Sequence, residues 1–275
     1  MNKISISTSF TDPEKRNDPY KEALDCYADI SDEVIIVGEN WPIEFKWDQI
    51  GKFFQEGFNK SNGDWVLRMD IDYFFHENDI PFIKKELEEF KKYPIVSFVQ
   101  HQFFTPDRYS KKSLLSVAIN KKEFPNIKLN GGGDLCLPTL DGQLLDPFKF
   151  PISKYPIYQY DSIFRTKEII SNDRARFARA WYREFKSFGD RGGGTPEEAF
   201  EAWKKMIKER LPSHIYKFDI NNHPRYISSK IKNLQIDQFG YNMFGQKYPK
   251  IQLTTLIGEI KKSAKIFICR FLKKY

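Results

Sequence analysis

Within the first hundred residues, short apolar runs alternate with stretches of helical periodicity, and this alternation restricts the fold more than any other feature. Ile4, Ile6 and Thr8 alternate with small polar residues and stop at Phe10-Thr11-Asp12-Pro13, which reads as a first strand opening into a polar loop. Over 18–29, Tyr20, Ala23, Leu24 and Tyr27 share one helical face, and Glu33 to Gly38 reads as a short buried strand. Trp47, Ile50, Phe54 and Phe58 repeat at helical spacing until Ser61-Asn62-Gly63-Asp64 stops them; Trp65 to Met69 is the next strand. A charged helix over 79–92, capped by Asn78 or Asp79, and an apolar strand over 94–100 follow. Strands separated by helices of this length pair in parallel with crossovers on both faces. The expected fold class is therefore α/β, a largely parallel sheet sandwiched by helices.

From Gln102 to Tyr160 the periodicity is broken by prolines and by Gly131 to Gly133, as expected of loops and antiparallel edge strands around a site. Helical patterns resume over 166–188 and 196–210, separated by a turn over 189–194. The expected organisation is a catalytic domain over 1–165 and a helical extension over 166–275. An apolar share of 40%, with 25 Phe, 14 Tyr and 5 Trp, supplies a core and excludes a mostly disordered chain. A net charge of +7 suits anionic partners: nucleic acid, an acidic membrane face or a phosphorylated substrate. No recognised nucleic-acid motif is present, so nucleic acid is not expected. Cys26, Cys136 and Cys269 show neither a metal spacing nor a disulfide pattern. The N-terminus has no signal-peptide pattern, and no run reaches the ~20 apolar residues of a spanning helix. The expected location is cytoplasmic, or peripheral on the inner face of the cell membrane.

The tail gives the reason for that second location. Leu253, Leu256, Ile257, Ile260, Ala264, Phe267, Ile268 and Phe271 fall on one helical stripe, with Lys261, Lys262, Lys265, Arg270, Lys273 and Lys274 mostly off it. A basic amphipathic helix can rest among anionic headgroups, and the same pattern fits a helix docked on its own domain with a solvated basic face. Both readings stay open on sequence.

Asp70-Ile71-Asp72 carries the chemistry. At a strand end the turn lets both carboxylates converge on one hard cation, whose other positions can take diphosphate oxygens and water. Its place after two β-α units is where open α/β sheets bind ligands. The stretch from Gly51 to Asp79, with Phe53-Phe54-Gln55-Glu56-Gly57, Gly63-Asp64-Trp65 and this Asp-x-Asp, resembles family 2-like glycosyltransferases with the GT-A fold. A weaker echo lies at Tyr158-Gln159-Tyr160-Asp161, where relatives carry His-Tyr-Asp.

The resemblance implies a hexosyltransferase that moves a sugar from a nucleotide-diphosphate donor, UDP- or GDP-linked, to a hydroxyl of a glycan or lipid-linked acceptor in polysaccharide synthesis, with inversion. It implies Mn2+ or Mg2+ on Asp70 and Asp72, completed by Asp161 or by water because Gln159 stands in place of the usual His. It places donor contacts at Thr8, Glu39, Arg68 and Asp70. Thr8 and Glu39 lie where the chain departs from the family's Pro-Thr-Tyr-Asn and Asp-Asp-x-Ser.

For the base, Asp134 after Asn130-Gly131-Gly132-Gly133 is the candidate, with Asp141, Asp146, His101 and His76 as substitutes. One or two of Arg165, Lys167, Arg174, Arg176, Arg179 and Arg183 are expected at the leaving diphosphate. Trp181, Tyr182 and Trp203 are expected to pack. Two other readings remain: a basic membrane- or nucleic-acid-binding module, and an Asp-x-Asp phosphatase, in which Tyr73 would replace a small residue.

Overall fold

The computed structural model describes residues 2–38, 41–129 and 136–271, with Phe271 by its backbone alone. Strand β1 (Ile4–Ser9) leads to helix α1 (Tyr20–Ile30), β2 (Glu33–Val37), α2 (Gln49–Lys60) and β3 (Trp65–Asp70). β1 pairs in parallel with both β2 and β3, as the β-α alternation requires. β2 lies at the sheet edge, and its first four residues are half-buried instead of buried.

Alternation along β3 divides the core. Trp65, Leu67 and Met69 join Ala23, Cys26 and Tyr27 of α1 in one cluster. Val66 turns to the other face, with Ile50, Phe54 and Phe58 of α2. Helix α2 can approach this closely because Gly57 faces β1: a β-carbon there would lie 1.8 Å from Ser7 Oγ.

After the short β4 (Tyr73–Phe74) comes α3 (Ile80–Glu89). It starts next to Asp79, whose side chain makes no capping hydrogen bond, contrary to the expected cap. The larger departure follows. β5 (Ile95–Thr105) and β6 (Arg108–Asn120) form a long antiparallel hairpin in a region expected to hold loops and edge strands, and β6 is central, antiparallel to both β3 and β5.

A small separate sheet, β7 (Lys128–Leu129), β8 (Pro138–Leu140) and β9 (Gln143–Leu144), precedes β10 (Ile157–Gln159), which pairs in parallel with β5 and antiparallel with β4. The main sheet runs β2-β1-β3-β6-β5-β10-β4, so it is mixed rather than largely parallel, with helices on both faces.

The remaining chain is α4 (Lys167–Phe185), α5 (Pro196–Arg210), β11 (Tyr216–Lys217), α6 (Arg225–Lys232), α7 (Phe239–Asn242) and α8 (Leu253–Phe271). Thr195 and Glu198 close a reciprocal capping box at the start of α5. The described residues from 166 onward wrap back onto the sheet. Ala180 of α4 enters the α2 cluster, Ile227 and Ile231 of α6 enter the α1 cluster, and β11 pairs with β6.

Candidate active site

The carboxyl ends of β1, β3 and β10 open into a cleft of about 400 Å³, walled by α4 and α5. Ser9 of β1 is in register with Asp70 of β3, so the two strand ends stand side by side. Three hydrogen bonds hold the turn after β3. Tyr27 Oη donates to the carbonyls of Asp70 (2.6 Å) and Tyr73 (3.1 Å), and Tyr160 N donates to the Asp72 carbonyl (3.0 Å). Pairing of Tyr73 with Gln159 then brings β10 alongside. The Asp70 and Asp72 side chains consequently both line the cleft, as the Asp-x-Asp spacing implied.

Charge is unevenly balanced around these carboxylates. Burial, followed by the charges of Asp161 and Asp70, pushes the Asp72 carboxyl well up, against a single side-chain hydrogen bond from Gln159 Nε2 (3.1 Å). Asp161 behaves oppositely: burial would raise it, but Arg174, Lys112, Arg165 and Arg210 together hold it down, so it stays ionised. Arg174 Nη2 lies 3.6 Å from Asp161 Oδ1, Ser162 Oγ donates to the same oxygen at 3.1 Å, and Gln102 Nε2 donates to Oδ2 at 3.5 Å. Lys112 Nζ donates to Gln159 Oε1 at 3.5 Å, tying the chain Lys112–Gln159–Asp72 across the floor.

One wall is a buried ion cluster. Arg165 Nε donates to Asp18 Oδ1 at 3.1 Å, and its Nη1 donates to Asp173 Oδ2 at 3.2 Å; Arg16 lies 3.1 Å from Asp18 and 3.5 Å from Asp173. Burial alone would lower the Arg165 guanidinium, but Asp18 and Asp173 outweigh it and lock the charge in place.

Several expected residues lie elsewhere. Thr8 is fully buried and does not line the cleft, because it lies one residue inside the end of β1; Ser9, Phe10 and Thr11 line it instead. Arg68 is also buried away from the cleft, on the α2 face of β3. It stacks over the Phe54 ring (4.6 Å) with Nη1 3.8 Å from Asp70 Oδ1, and so backs that carboxylate. Glu39 and Asp134, with the rest of the glycine run, lie outside the described residues.

The substitutes for the base are not at the cleft. Asp141 sits in the β8–β9 turn, Asp146 Oδ1 accepts from Phe148 N, and His76 pairs with Glu77. His101 is stacked on Tyr109 at 4.2 Å and pushed down to about 3 by burial.

Of the cations expected at the diphosphate, Arg165, just before α4, and Arg174 line the cleft. Arg179 and Arg183 are taken by Glu44, Arg176 donates to the Ile43 carbonyl, and Lys167 lies over the Phe200 ring. Trp203 packs in the α5–α7 cluster and also lines the cleft, and Trp181 lies under Arg191. Lys112, Arg210, Trp41 and Trp47 also line the cleft, and no sequence motif marked them. Trp41 does so with its Nε1 donating to Ser9 Oγ at 3.1 Å.

Among the described residues, no three His, Cys, Asp or Glu side chains converge as a ligand set. Asp161 lines the same cleft as Asp70 and Asp72, with Arg174, Ser162 and Gln102 at its oxygens. Asp70 and Asp72 still suit a hard cation of the Mg2+ or Mn2+ type. They are oxygen donors, and the crowding that raises Asp72 is what a divalent charge would relieve.

No family model and no curated protein matches the chain. Among solved structures, it is similar to S. aureus TarS 1-349 at 9% identity and a TM-score of 0.34, covering 78% of this chain and 81% of that one. It is similar to TarS 1-349 in complex with UDP-GlcNAc at 11% identity and a TM-score of 0.35, covering 98% and 90%. Against the longer TarS chain the TM-score is 0.33 at 11% identity, and this chain spans 55% of its length. These values concern the course of the chain and reach no residue of the cleft.

Proposed function

We propose that the cleft binds a nucleotide-diphosphate sugar and transfers the sugar to a hydroxyl of a glycan or lipid-linked acceptor. One observation carries this reading: a strand-end carboxylate pair, Asp70 and Asp72, shares one cleft with fixed cations, Lys112, Arg174 and Arg210. A sugar diphosphate needs both, a metal-binding edge for the diphosphate and cations that stabilise it as it leaves. Asp70 and Asp72 would hold Mn2+ or Mg2+, which when bound would neutralise the developing diphosphate charge.

In this reading Phe10, Thr11 and Trp41 frame the base and ribose at the β1 end, with the donor UDP- or GDP-linked. The acceptor proton goes to a carboxylate. Asp161 and Asp72 have environments that push them apart, and the ionised member, Asp161, is placed to accept a proton. Asp134, which follows Gly131-Gly132-Gly133 in sequence, is the rival base. Direct attack opposite the leaving diphosphate inverts the anomeric carbon.

The test is calorimetric titration of UDP, GDP, CMP and dTDP with and without Mn2+ or Mg2+. Metal-dependent binding of one diphosphate that disappears in Asp72→Asn supports the site; binding of none overturns it. Asp161→Asn and Asp134→Asn then identify the base: the true one loses turnover by about a hundredfold or more while retaining nucleotide affinity. NMR of the product anomer decides inversion.

A further inference from the structure

Helix α8 docks on the domain by one side only. The stripe that the sequence marks as its apolar face points outward: Leu253 is 72% exposed, Ile260 67%, Phe267 58% and Ile268 49%, with Leu256 and Ile257 also exposed. The helix meets the domain through a narrower, mixed seam. Ile266 and Cys269 pack against Val99 and Ile152, and Ser263 Oγ accepts from Lys111 Nζ at 3.2 Å. Lys262 Nζ donates to the Lys112 carbonyl at 3.4 Å. A helix that buried its apolar stripe on its own domain would have the reverse arrangement.

Charge identifies what covers the stripe. Glu259 is the only acidic residue of 251–275, and it is turned inward, where it accepts from Tyr216 Oη at 3.2 Å and pairs with Lys262 at 3.8 Å. Lys261 and Lys265 are exposed along one margin of the stripe, and Lys247 and Lys250 are exposed just before the helix. Ile215 and Tyr216 extend the apolar surface as a groove beside Leu256 and Ile260. Among the described residues, no helix is long and apolar enough to cross a membrane. A broad apolar stripe with lysines and no outward acid suits the headgroup region of an anionic bilayer. A second copy fits less well, because pairing the stripes would bring lysine margins of like charge together.

We propose that α8 seats the protein on an anionic membrane surface, its stripe lying in the plane of the headgroups. This does not depend on the sugar-transfer reading. If both hold, the helix also sets the cleft at the lipid interface, because its seam lies on the β6 segment that carries the cleft residue Lys112.

The test is sedimentation of the full chain with vesicles of phosphatidylcholine alone or mixed with phosphatidylglycerol. Two variants accompany it, Ile257→Asp with Ile260→Asp, and Lys261→Glu; all of these residues are exposed, and circular dichroism checks that folding is kept. We expect binding only to the mixed vesicles, weakening as salt rises. The double aspartate variant should lose affinity by more than about tenfold and Lys261→Glu by about tenfold. Failure to bind mixed vesicles, equal binding to phosphatidylcholine, or full binding by the double aspartate variant would overturn the proposal. So would a stable dimer in sedimentation velocity that the same double variant dissociates, since it would give the stripe to a second copy.

Discussion

Replacing Asp72 by asparagine keeps the side-chain shape and the Gln159 contact but removes a group whose charge the fold opposes, so that the metal-free native state holds it protonated. In the wild-type protein the carboxylate lies at the cleft floor beside Asp161 and Asp70, and Gln159 Nε2 is its side-chain hydrogen-bond donor. Removing such a charge is worth about 3–5 kcal/mol at a fully buried, uncompensated site; partial solvent access reduces this to about 1–2 kcal/mol. For a chain of this size that raises the Tm of the metal-free protein by about 2–8 °C.

The sign with pH follows from the raised carboxyl. The native state keeps a proton that the unfolded chain gives up, so wild-type stability falls as pH rises above the ordinary carboxylate range. The advantage of the variant should therefore be small in mildly acidic buffer and widen towards slightly alkaline pH. The assay is thermal unfolding by circular dichroism in EDTA across that range. With Mn2+ and the cognate nucleotide at about a hundred times Kd the order should reverse, because the wild type gains about 2.7 kcal/mol by linkage and the variant does not. A variant less stable than wild type in EDTA, at every pH, would refute the claim that Asp72 is held at a cost to the fold.

Three further outcomes are expected. Arg165→Met leaves Asp18 and Asp173 to Arg16 in the cleft wall and should cost up to about 3 kcal/mol in urea unfolding; a loss under about 1 kcal/mol would show that the cluster is not a structural tie. Metal binding in the presence of nucleotide should release a proton from Asp72, so affinity should rise with pH, and calorimetry in buffers of different ionisation enthalpy should detect that release; a pH-independent affinity would contradict it. Burial pushes His101 down to about 3 and His214 and His223 to about 4, so the native state refuses protons that the unfolded chain accepts. Stability is then complete above pH ~6.5 and declines as pH falls towards about 4, by up to about 2 kcal/mol per histidine at pH 5. Measured in the Asp72→Asn background, which removes the carboxyl raised furthest of those that oppose the trend, a flat profile between those limits would refute this.

The first half of the sheet was legible because each of its elements obeys a single period. β1 and β3 are short apolar strands, α1 and α2 carry repeats of about 3.6 residues, and Gly63-Asp64 marks the entry to β3. The central strand β6 was not legible. Its first half, Arg108 to Ser113, is polar because there the strand leaves the core, meets α8 and lines the cleft, which a period-2 test scores as loop.

The same physics hid Lys112, the cleft cation, and misplaced Arg68. A lysine in a loop-like run has no signature of its own, and an arginine inside a strand can be assigned to a face only when the register is known. The register puts Arg68 over Phe54, behind Asp70. Helix α8 shows the limit from the other side. Its apolar period correctly marks a helix over 253–271, but a period says which residues share a face and not which way the face turns. That direction is set by Ile266, Cys269, Ser263 and Lys262 meeting β6 and its neighbours, contacts between segments more than a hundred residues apart. The Asp-x-Asp pair was legible for the converse reason: its geometry is local, made by a strand end and the next two residues. What the cleft can bind is carried by side chains such as Lys112, Arg174 and Arg210, which converge only once the tertiary arrangement is known.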